Sequence, residues 1–328
     1  MSSIGFFLTQ SKMFFGYLVI NVDPIAFRLG SVQIHWYGMA YVLALSVALW
    51  ATLHYADRLS VPRDKIWNMF WLATPAGLIG ARLYYVIQQP DLVEHYLKQP
   101  VNIIAVWQGG MAFFGAIFLA APTAALYARR AGLTLWLGLD FGAFFGMVGQ
   151  MFGRLGNLVN GDIVGYAVGH PTIPANVCPN APCIAYVSDP HILPWATAYL
   201  NPASFVTEHG VPYQPAAFYE ILVNILALLI LWRLRLLLPQ RVRAGAFFCL
   251  YVALYAVGQF LLFFARDNVF VSFLGTTALK QAQWTAIFTF LLVIPFYFLL
   301  VRRFGRPWKA GQEQPAPEPD QSQPVTAE

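Results

Sequence analysis

Long apolar stretches alternate along the chain with short stretches that carry the charges. The hydrocarbon core of a bilayer is about 30 Å thick, and a helix needs roughly 20 apolar residues to cross it. Gly and Pro within such a stretch are compatible with a helix in lipid. Seven stretches reach about that length: residues 36–54, 66–88, 103–127, 134–153, 216–234, 245–265 and 283–301. The pattern therefore predicts an all-α integral membrane protein with seven transmembrane helices.

Clusters of Lys and Arg follow alternate predicted helices, namely the first, third, fifth and seventh. The clusters are Arg58, Arg63 and Lys65; Arg129 and Arg130; Arg233, Arg235, Arg241 and Arg243; and Arg302, Arg303, Arg306 and Lys309. Short loops rich in Lys and Arg stay on the cytoplasmic side of a membrane. We therefore expect an external N-terminus and a cytoplasmic C-terminus.

The composition agrees with a membrane protein. Hydrophobic residues make up 58% of the chain and charged residues 11%, and the mean hydropathy is +0.56. The formal net charge of +5 comes from the loop clusters that set orientation. Its sum matters less than its placement beside membrane lipid, and it gives no reason to expect a nucleic-acid partner.

Three regions follow from these patterns. Residues 1–35 contain only a short apolar patch, 13–20, so we expect an external interfacial segment. Residues 36–303 form the transmembrane domain, with an external loop subdomain, 166–213, between the fourth and fifth helices. Residues 304–328 are rich in Pro, Gln and Glu and cannot bury enough apolar surface to fold. We expect them to form a disordered cytoplasmic tail.

The external loop contains two cysteines and three histidines. Cys178 and Cys183 would face an oxidising compartment, which favours a disulfide over a catalytic thiol. His170, His191 and His209 match no spacing typical of zinc ligands, so no metal site is predicted.

The end of the fourth predicted helix carries an unusual polar group in the sequence GRLGNLVNGD, residues 153–162. Arg154 on its own could be a helix-end anchor whose charged group reaches the interface. Asn157, Asn160 and Asp162 follow it, however, and the intervening glycines let the backbone approach a ligand closely. A guanidinium suits a phosphate group. The group therefore favours a phospholipid head group as the ligand.

Other polar residues lie in or beside the predicted helices. Arg82 could be a second phosphate contact or form an ion pair with Asp140 or Glu220, and the ion pair is the interpretation that its position favours. Asp140 lies too deep for an outer head group, and Glu220 lies where it could orient a cation. Tyr37 falls at the outer edge of the first helix, where aromatic residues are ordinary membrane anchors.

Four stretches of the chain resemble the phosphatidylglycerol prolipoprotein diacylglyceryl transferases in their order and spacing. They are DPIAFRLGSVQIHWYG, WQGGMAFFG, GRLGNLVNGD followed by Gly165, and QPAAFYE. The resemblance runs from Asp23 to about Arg303. It implies a seven-helix, multi-pass enzyme of the bacterial plasma membrane, without a cofactor. Such an enzyme moves the diacylglyceryl group of phosphatidylglycerol to the lipobox cysteine thiol of a prolipoprotein signal peptide and releases glycerol phosphate.

The resemblance also implies roles for residues that match its motifs. Arg154 would bind the phosphate of phosphatidylglycerol, and the remaining site residues would be Tyr37, Asn157, Asn160, Asp162, Gly165 and Tyr255. Arg82 is added to the lipid-binding residues on its position in the second predicted helix alone. A guanidinium placed beside the leaving oxygen stabilises the negative charge that develops there, by about 3 to 4 kcal/mol per donor in comparable sites.

The chain departs from the family pattern at positions that bear on proton transfer. Phe114 stands where a His-Gly-Gly motif is common, and Gln214 stands where a His-Pro pair is common. In the sixth helix Gln259 and Phe263 replace Arg and Glu, although Arg266 lies close enough to substitute for one of them. Two hypotheses therefore remain, an active transferase that uses another base or none and a lipid-binding paralogue without activity.

Overall fold

Helices dominate the computed structural model, which describes residues 16–30, 32–106, 110–192, 195–237, 243–266 and 279–304. The main helices are α1 (Trp36–Arg58), α2 (Arg63–Ile87), α5 (Phe113–Arg130), α6 (Leu135–Asn160), α7 (Ala216–Leu237), α8 (Ala246–Leu262) and α9 (Gln281–Phe296). Among the described residues, five helices are long and apolar enough to cross a membrane: Trp36–Arg58, Arg63–Ile87, Leu135–Asn160, Ala216–Leu234 and Gln281–Phe304. The chain is a multi-pass membrane protein.

The third predicted helix, 103–127, begins later than expected. The structure has a π-helical turn, α3 (Leu92–Leu97), and a short helix, α4 (Val101–Ile104), before α5. Gly110 has a φ of +83°, a conformation outside the right-handed helical region. The apolar run is therefore interrupted, and α5 starts after this turn. The apolar composition that predicted a continuous helix carries no information about this break.

A β-sheet corrects the expectation of an all-α protein. It contains β1 (Gly16–Asn21), β4 (Cys183–Ser188), β5 (Ala196–Tyr199) and β6 (Pro212–Tyr213), in the order β4-β1-β5-β6. Strand β1 is antiparallel to β4 and parallel to β5. Tyr17 and Val19 of β1 are buried, so this part of the expected interfacial segment is the core of a sheet.

The loop between α6 and α7 supplies the other three strands of that sheet. Cys178 and Cys183 form a disulfide at the start of β4, the state that the sequence favoured over a catalytic thiol. A hairpin of β2 (Ile25–Leu29) and β3 (Val32–His35) leads directly into α1. Of the predicted tail only Phe304 is described, and residues 305–328 and 1–15 lie outside the described residues.

The chain forms two compact units. The first contains residues 1–48, 146–237 and 249–296, and the second contains residues 49–145, 238–248 and 297–328. A buried apolar cluster stabilises the second unit through Leu49, Leu53, Ala56, Leu59, Val61, Ile66, Ala128, Leu133, Leu137, Phe141 and Ala244. The sheet and all of the predicted site residues except Arg82 belong to the first unit.

Candidate functional site

The polar motif lies at the end of α6, where residues from the sheet region hold the last helical turn. The Tyr199 hydroxyl donates a hydrogen bond to the Leu158 carbonyl at 2.7 Å, and the Phe205 amide donates to the Asn160 carbonyl at 3.1 Å. Burial raises the pKa of Tyr199 to about 12, so its hydroxyl stays protonated. Because helix ends leave carbonyls without intrahelical partners, these bonds fix the position of the motif.

Arg154 of α6 forms an ion pair with Glu220 of α7 through its Nε. Its Nη1 donates to the Asn157 Oδ1 at 3.1 Å. The side chain of Glu220 is 1% exposed and that of Arg154 is 20% exposed. Arg154 is therefore a partly buried, paired residue and differs from an isolated anchor at a helix end. Its Nη2 makes no hydrogen bond to the residues that the structure describes.

A second guanidinium lies on the other oxygen of the same carboxylate. The Nη1 of Arg266 is 3.7 Å from the Glu220 Oε1, and the Arg266 guanidinium lies over the Phe263 ring at 4.8 Å from its centroid. The buried Nε of Arg266 has no hydrogen-bond acceptor within the described ranges. Two guanidinium groups facing one carboxylate leave a net positive charge. That charge suits an anion with a single negative charge, such as a phosphodiester.

Asn157 links Arg154 to the acidic end of the motif. Its Nδ2 donates to the Asp162 Oδ1 at 2.9 Å, while its own Oδ1 accepts from Arg154. Asn157 is buried and Asp162 is exposed. Tyr37 of α1 lies beside Gly156 of α6, and its hydroxyl bonds to the Tyr41 hydroxyl at 2.9 Å. The structure thus brings Tyr37, Arg154, Asn157 and Asp162 into one region.

Asn160 and Gly165 occupy different environments. The Asn160 side chain is buried, and its Oδ1 has no hydrogen-bond partner in the part of the chain that is described. The Gly165 amide donates to the Gln214 carbonyl at 2.8 Å. A Cβ atom at Gly165 would lie 2.2 Å from the Ala265 carbonyl oxygen, so the close approach of these segments requires glycine.

Tyr255 of α8 joins a chain of polar side chains inside the first unit. Its hydroxyl accepts a hydrogen bond from the Gln150 Nε2 at 3.1 Å. The Tyr251 hydroxyl donates to the Asn224 Oδ1 at 3.2 Å, and the Asn224 Nδ2 donates to the Glu220 carbonyl at 2.9 Å. The resemblance identified Tyr255, while the partly buried Gln150 and the buried Asn224 were missed although they interrupt apolar helices.

Arg82 lies in the second unit and binds backbone carbonyls there. Its donors reach the carbonyl oxygens of Ile103 at 2.8 Å, Gly110 at 3.0 Å and Asn102 at 2.5 Å. These contacts hold α4 and Gly110, which precedes α5. They account for a buried arginine without a bound phosphate, although its position in the sequence made Arg82 a candidate lipid contact.

The two carboxylates that were considered as partners for Arg82 have other described contacts. Asp140 accepts hydrogen bonds from the amides of Gly245 at 2.8 Å and Phe248 at 2.9 Å, at the start of α8. Glu220 binds Arg154 and Arg266. Asp140 therefore has a structural role, as its predicted depth in the membrane indicated. Glu220 pairs with cations, as its position indicated.

Comparisons with a family model and with individual known proteins identify the same family. The family model for prolipoprotein diacylglyceryl transferase matches residues 24–299. The chain is 29% identical over 285 residues, 87% of its length and 94% of the relative, to a phosphatidylglycerol–prolipoprotein diacylglyceryl transferase of Bacillus cereus. It is also 29% identical over 293 residues, 89% of its length and 97% of the relative, to the protein of the same name from Bacillus licheniformis. These matches confirm the resemblance in the motifs, and the chain belongs to the prolipoprotein diacylglyceryl transferase family.

Proposed function

We propose that this protein transfers the diacylglyceryl group of phosphatidylglycerol to the lipobox cysteine thiol of a prolipoprotein and releases glycerol phosphate. The observation that carries the proposal is the buried Glu220 carboxylate with Arg154 and Arg266 on its two oxygens. The names of the relatives from Bacillus cereus and Bacillus licheniformis support the same substrates.

The reaction is a displacement at an sp3 carbon. The cysteine sulfur forms a bond to the glyceryl carbon that carries the phosphate ester, and the bond between that carbon and the ester oxygen breaks. The electron pair of the broken bond stays on the oxygen, so glycerol phosphate leaves with one additional negative charge. The thiol proton is released to solvent. Neither oxidation nor reduction occurs.

Arg154 is the residue that holds the phosphate in this proposal. Its Nη2 makes no hydrogen bond to the described residues, and its Nε is fixed by Glu220. Donors placed beforehand around the leaving oxygens stabilise the charge that develops on them without reorganisation. Asn157 orients Arg154, and Asp162 holds Asn157. Tyr37, Asn160 and Tyr255 belong to the same compact unit as Arg154. In this proposal they contact the head group or the glyceryl chain.

The thiol ionises without a histidine in this proposal. Phe114, which stands at the usual histidine position, is 61% exposed, and a phenyl ring accepts no proton. A free cysteine has a pKa of about 8.5, and a neighbouring guanidinium lowers it. A small thiolate population at neutral pH therefore supports a slow reaction.

The topology in this proposal has seven membrane-spanning helices, α1, α2, α5, α6, α7, α8 and α9, with the N-terminus and the sheet outside and the C-terminus inside. The loop charges support it, and the Cys178–Cys183 disulfide suits an oxidising compartment. Reporter fusions after Arg130 and after Arg303 should show cytoplasmic activity, and one within 166–213 should show external activity. A cytoplasmic signal from 166–213 would contradict the placement of the sheet.

The second candidate function is lipid binding without transfer. Phe114 favours it, because the usual proton acceptor is missing. The decisive experiment incubates the purified protein with phosphatidylglycerol micelles and a lipobox peptide and measures glycerol phosphate release and the mass of the peptide. Product that disappears with Arg154→Gln and persists with Arg58→Gln, a change at an exposed arginine, supports transfer. Arg154-dependent phosphatidylglycerol binding without product supports the paralogue, and absence of both contradicts the two functions.

A further inference from the structure

A buried lysine lies just before α9. Lys280 is 2% exposed, and its Nζ donates to the Phe263 carbonyl at 2.6 Å and to the Arg266 carbonyl. The Nζ also lies 4.6 Å from the centroid of the Tyr166 ring. An ammonium group can be buried when acceptors and an aromatic face replace its water. The contacts of Lys280 meet that requirement.

These contacts lie in the turn that follows α8, which ends at Leu262. Buried carbonyls in a turn need donors, and an ammonium group supplies them. Gln283 strengthens the same connection. Its Oε1 accepts from the Lys280 amide at 3.0 Å, and its Nε2 donates to the Phe260 carbonyl at 3.2 Å. Two side chains, one just before α9 and one within it, therefore hold the end of α8 and the turn that follows it.

The loop after α6 also contacts this turn. The Tyr166 amide donates to the Ala265 carbonyl at 3.0 Å, and Gly165 pairs with Arg266 in an isolated β-bridge. Tyr166 thus contacts both the turn and the lysine that caps it. The backbone around Arg266 is held by the loop after α6 and by the residues before α9.

The two carbonyls that Lys280 binds belong to Phe263 and to Arg266. The ring of Phe263 lies under the Arg266 guanidinium, so both contacts hold the backbone that carries this group. The guanidinium then reaches Glu220. We infer that Lys280 is a positioning residue that holds Arg266 against Glu220, so that Arg266 acts as a second phosphate-binding group beside Arg154. This inference rests on the proposed function of the site.

A purely structural lysine makes a different prediction. Loss of a structural contact would lower activity by the same factor whether or not Arg266 is present, because independent changes combine additively. A lysine that acts through Arg266 would lose its effect once Arg266 is removed. The two possibilities therefore differ in a double-mutant cycle.

The test compares Lys280→Met, Arg266→Met and the double variant in detergent with phosphatidylglycerol and a lipobox peptide. We expect Lys280→Met to lower kcat/KM about tenfold, the loss typical of a charge-assisted hydrogen bond. We expect it to lower kcat/KM by less than about twofold when Arg266 is already Met, the limit within which uncoupled changes agree. Lys280→Arg keeps a cation and should restore most of the rate. Lys98→Met is the control, because Lys98 is exposed and pairs only with Glu94 at 2.6 Å in the described contacts.

The positioning role would be overturned if Lys280→Met lowered kcat/KM by the same factor with native Arg266 and with Arg266→Met. It would also be overturned if Lys280→Met caused no loss with native Arg266. If the native protein forms no product, the same cycle is measured on the dissociation constant for phosphatidylglycerol in nanodiscs, with the same expected factors. A native protein that neither binds phosphatidylglycerol nor forms product would overturn the proposed function, and the role of Lys280 with it.

Discussion

The guanidinium of Arg154 on α6 and the carboxylate of Glu220 on α7 form an ion pair within one compact unit of the protein. The carboxylate is almost fully buried, and Arg266 contacts its other oxygen. Ionised side chains at membrane depth are costly and are retained where they pair or bind a ligand. The ion pair therefore identifies the place where a charged substrate group is expected.

Arg154→Lys should lower phosphatidylglycerol use by about 100-fold to 1,000-fold, as the loss of one donor does in comparable sites. The charge is kept, but lysine lacks the planar pair of donors that contacts Glu220, Asn157 and a phosphate together. Glycerol phosphate release by the purified variant measures the effect. Arg58→Lys, at an exposed arginine, is the matched control and should be silent. If both variants kept full activity, Arg154 would be a membrane anchor.

Glu220→Gln should destabilise the protein and make its stability depend on anionic lipid. Removing one partner of a buried ion pair costs about 3 to 5 kcal/mol, because a charge is left unpaired. Here Arg154 and Arg266 would both lose their carboxylate. Phosphatidylglycerol should restore part of the loss, since a ligand that binds the folded state stabilises it.

Thermal unfolding in detergent with added phosphatidylglycerol or with added phosphatidylcholine measures this difference. Glu94→Gln is the control, because Glu94 is an exposed residue paired with Lys98, and it should unfold like the native protein in both lipids. Equal recovery of Glu220→Gln with the two lipids would show that the two arginines do not bind the anionic head group.

The helices could be predicted from the sequence far better than the sheet. A run of apolar residues is a local signal, and α1, α2, α6, α7, α8 and α9 begin within a few residues of the predicted starts. Strand β1 pairs with β4, whose residues begin at Cys183, and no local pattern connects segments so distant in sequence. The apolar patch at β1 therefore indicated a surface segment, although its neighbours in the fold bury it.

The sequence likewise predicted only the part of the site that lies within one short stretch of the chain. Arg154, Asn157 and Asp162 share one short motif, and the structure shows them joined by hydrogen bonds. Glu220 was recognised as a residue that could orient a cation, but its pairing with both Arg154 and Arg266 depends on how α6, α7 and α8 pack. Lys280 gave no signal, because a lysine just before an apolar run is typical of a loop.

Gly165→Ala should lower both activity and stability. Its Cβ would lie 2.2 Å from the Ala265 carbonyl oxygen and 2.8 Å from the Gln214 Cβ, so the backbone next to Arg266 must move. Such crowding typically costs about 1 to 3 kcal/mol. Gly146→Ala is the control, because a Cβ at that position of α6 would meet nothing within 4 Å. Activity and melting temperature are measured for both, and a fully active Gly165→Ala would show that the Arg266 backbone tolerates displacement.

The rate of transfer should rise with pH between 6.5 and 8.5. If no side chain takes the proton, the reactive species is the thiolate of the lipobox peptide, whose fraction increases about fifty-fold over this range for a pKa near 8.5. If a general base that is ionised throughout this range took the proton, the rate would not follow the thiolate fraction and the profile would be flat. The measurement is glycerol phosphate release at saturating phosphatidylglycerol, with the native protein and Asp162→Asn compared at each pH. A rising profile in both proteins supports a thiol that ionises on its own. A flat native profile that Asp162→Asn converts into a slow, rising one would instead assign the proton to Asp162.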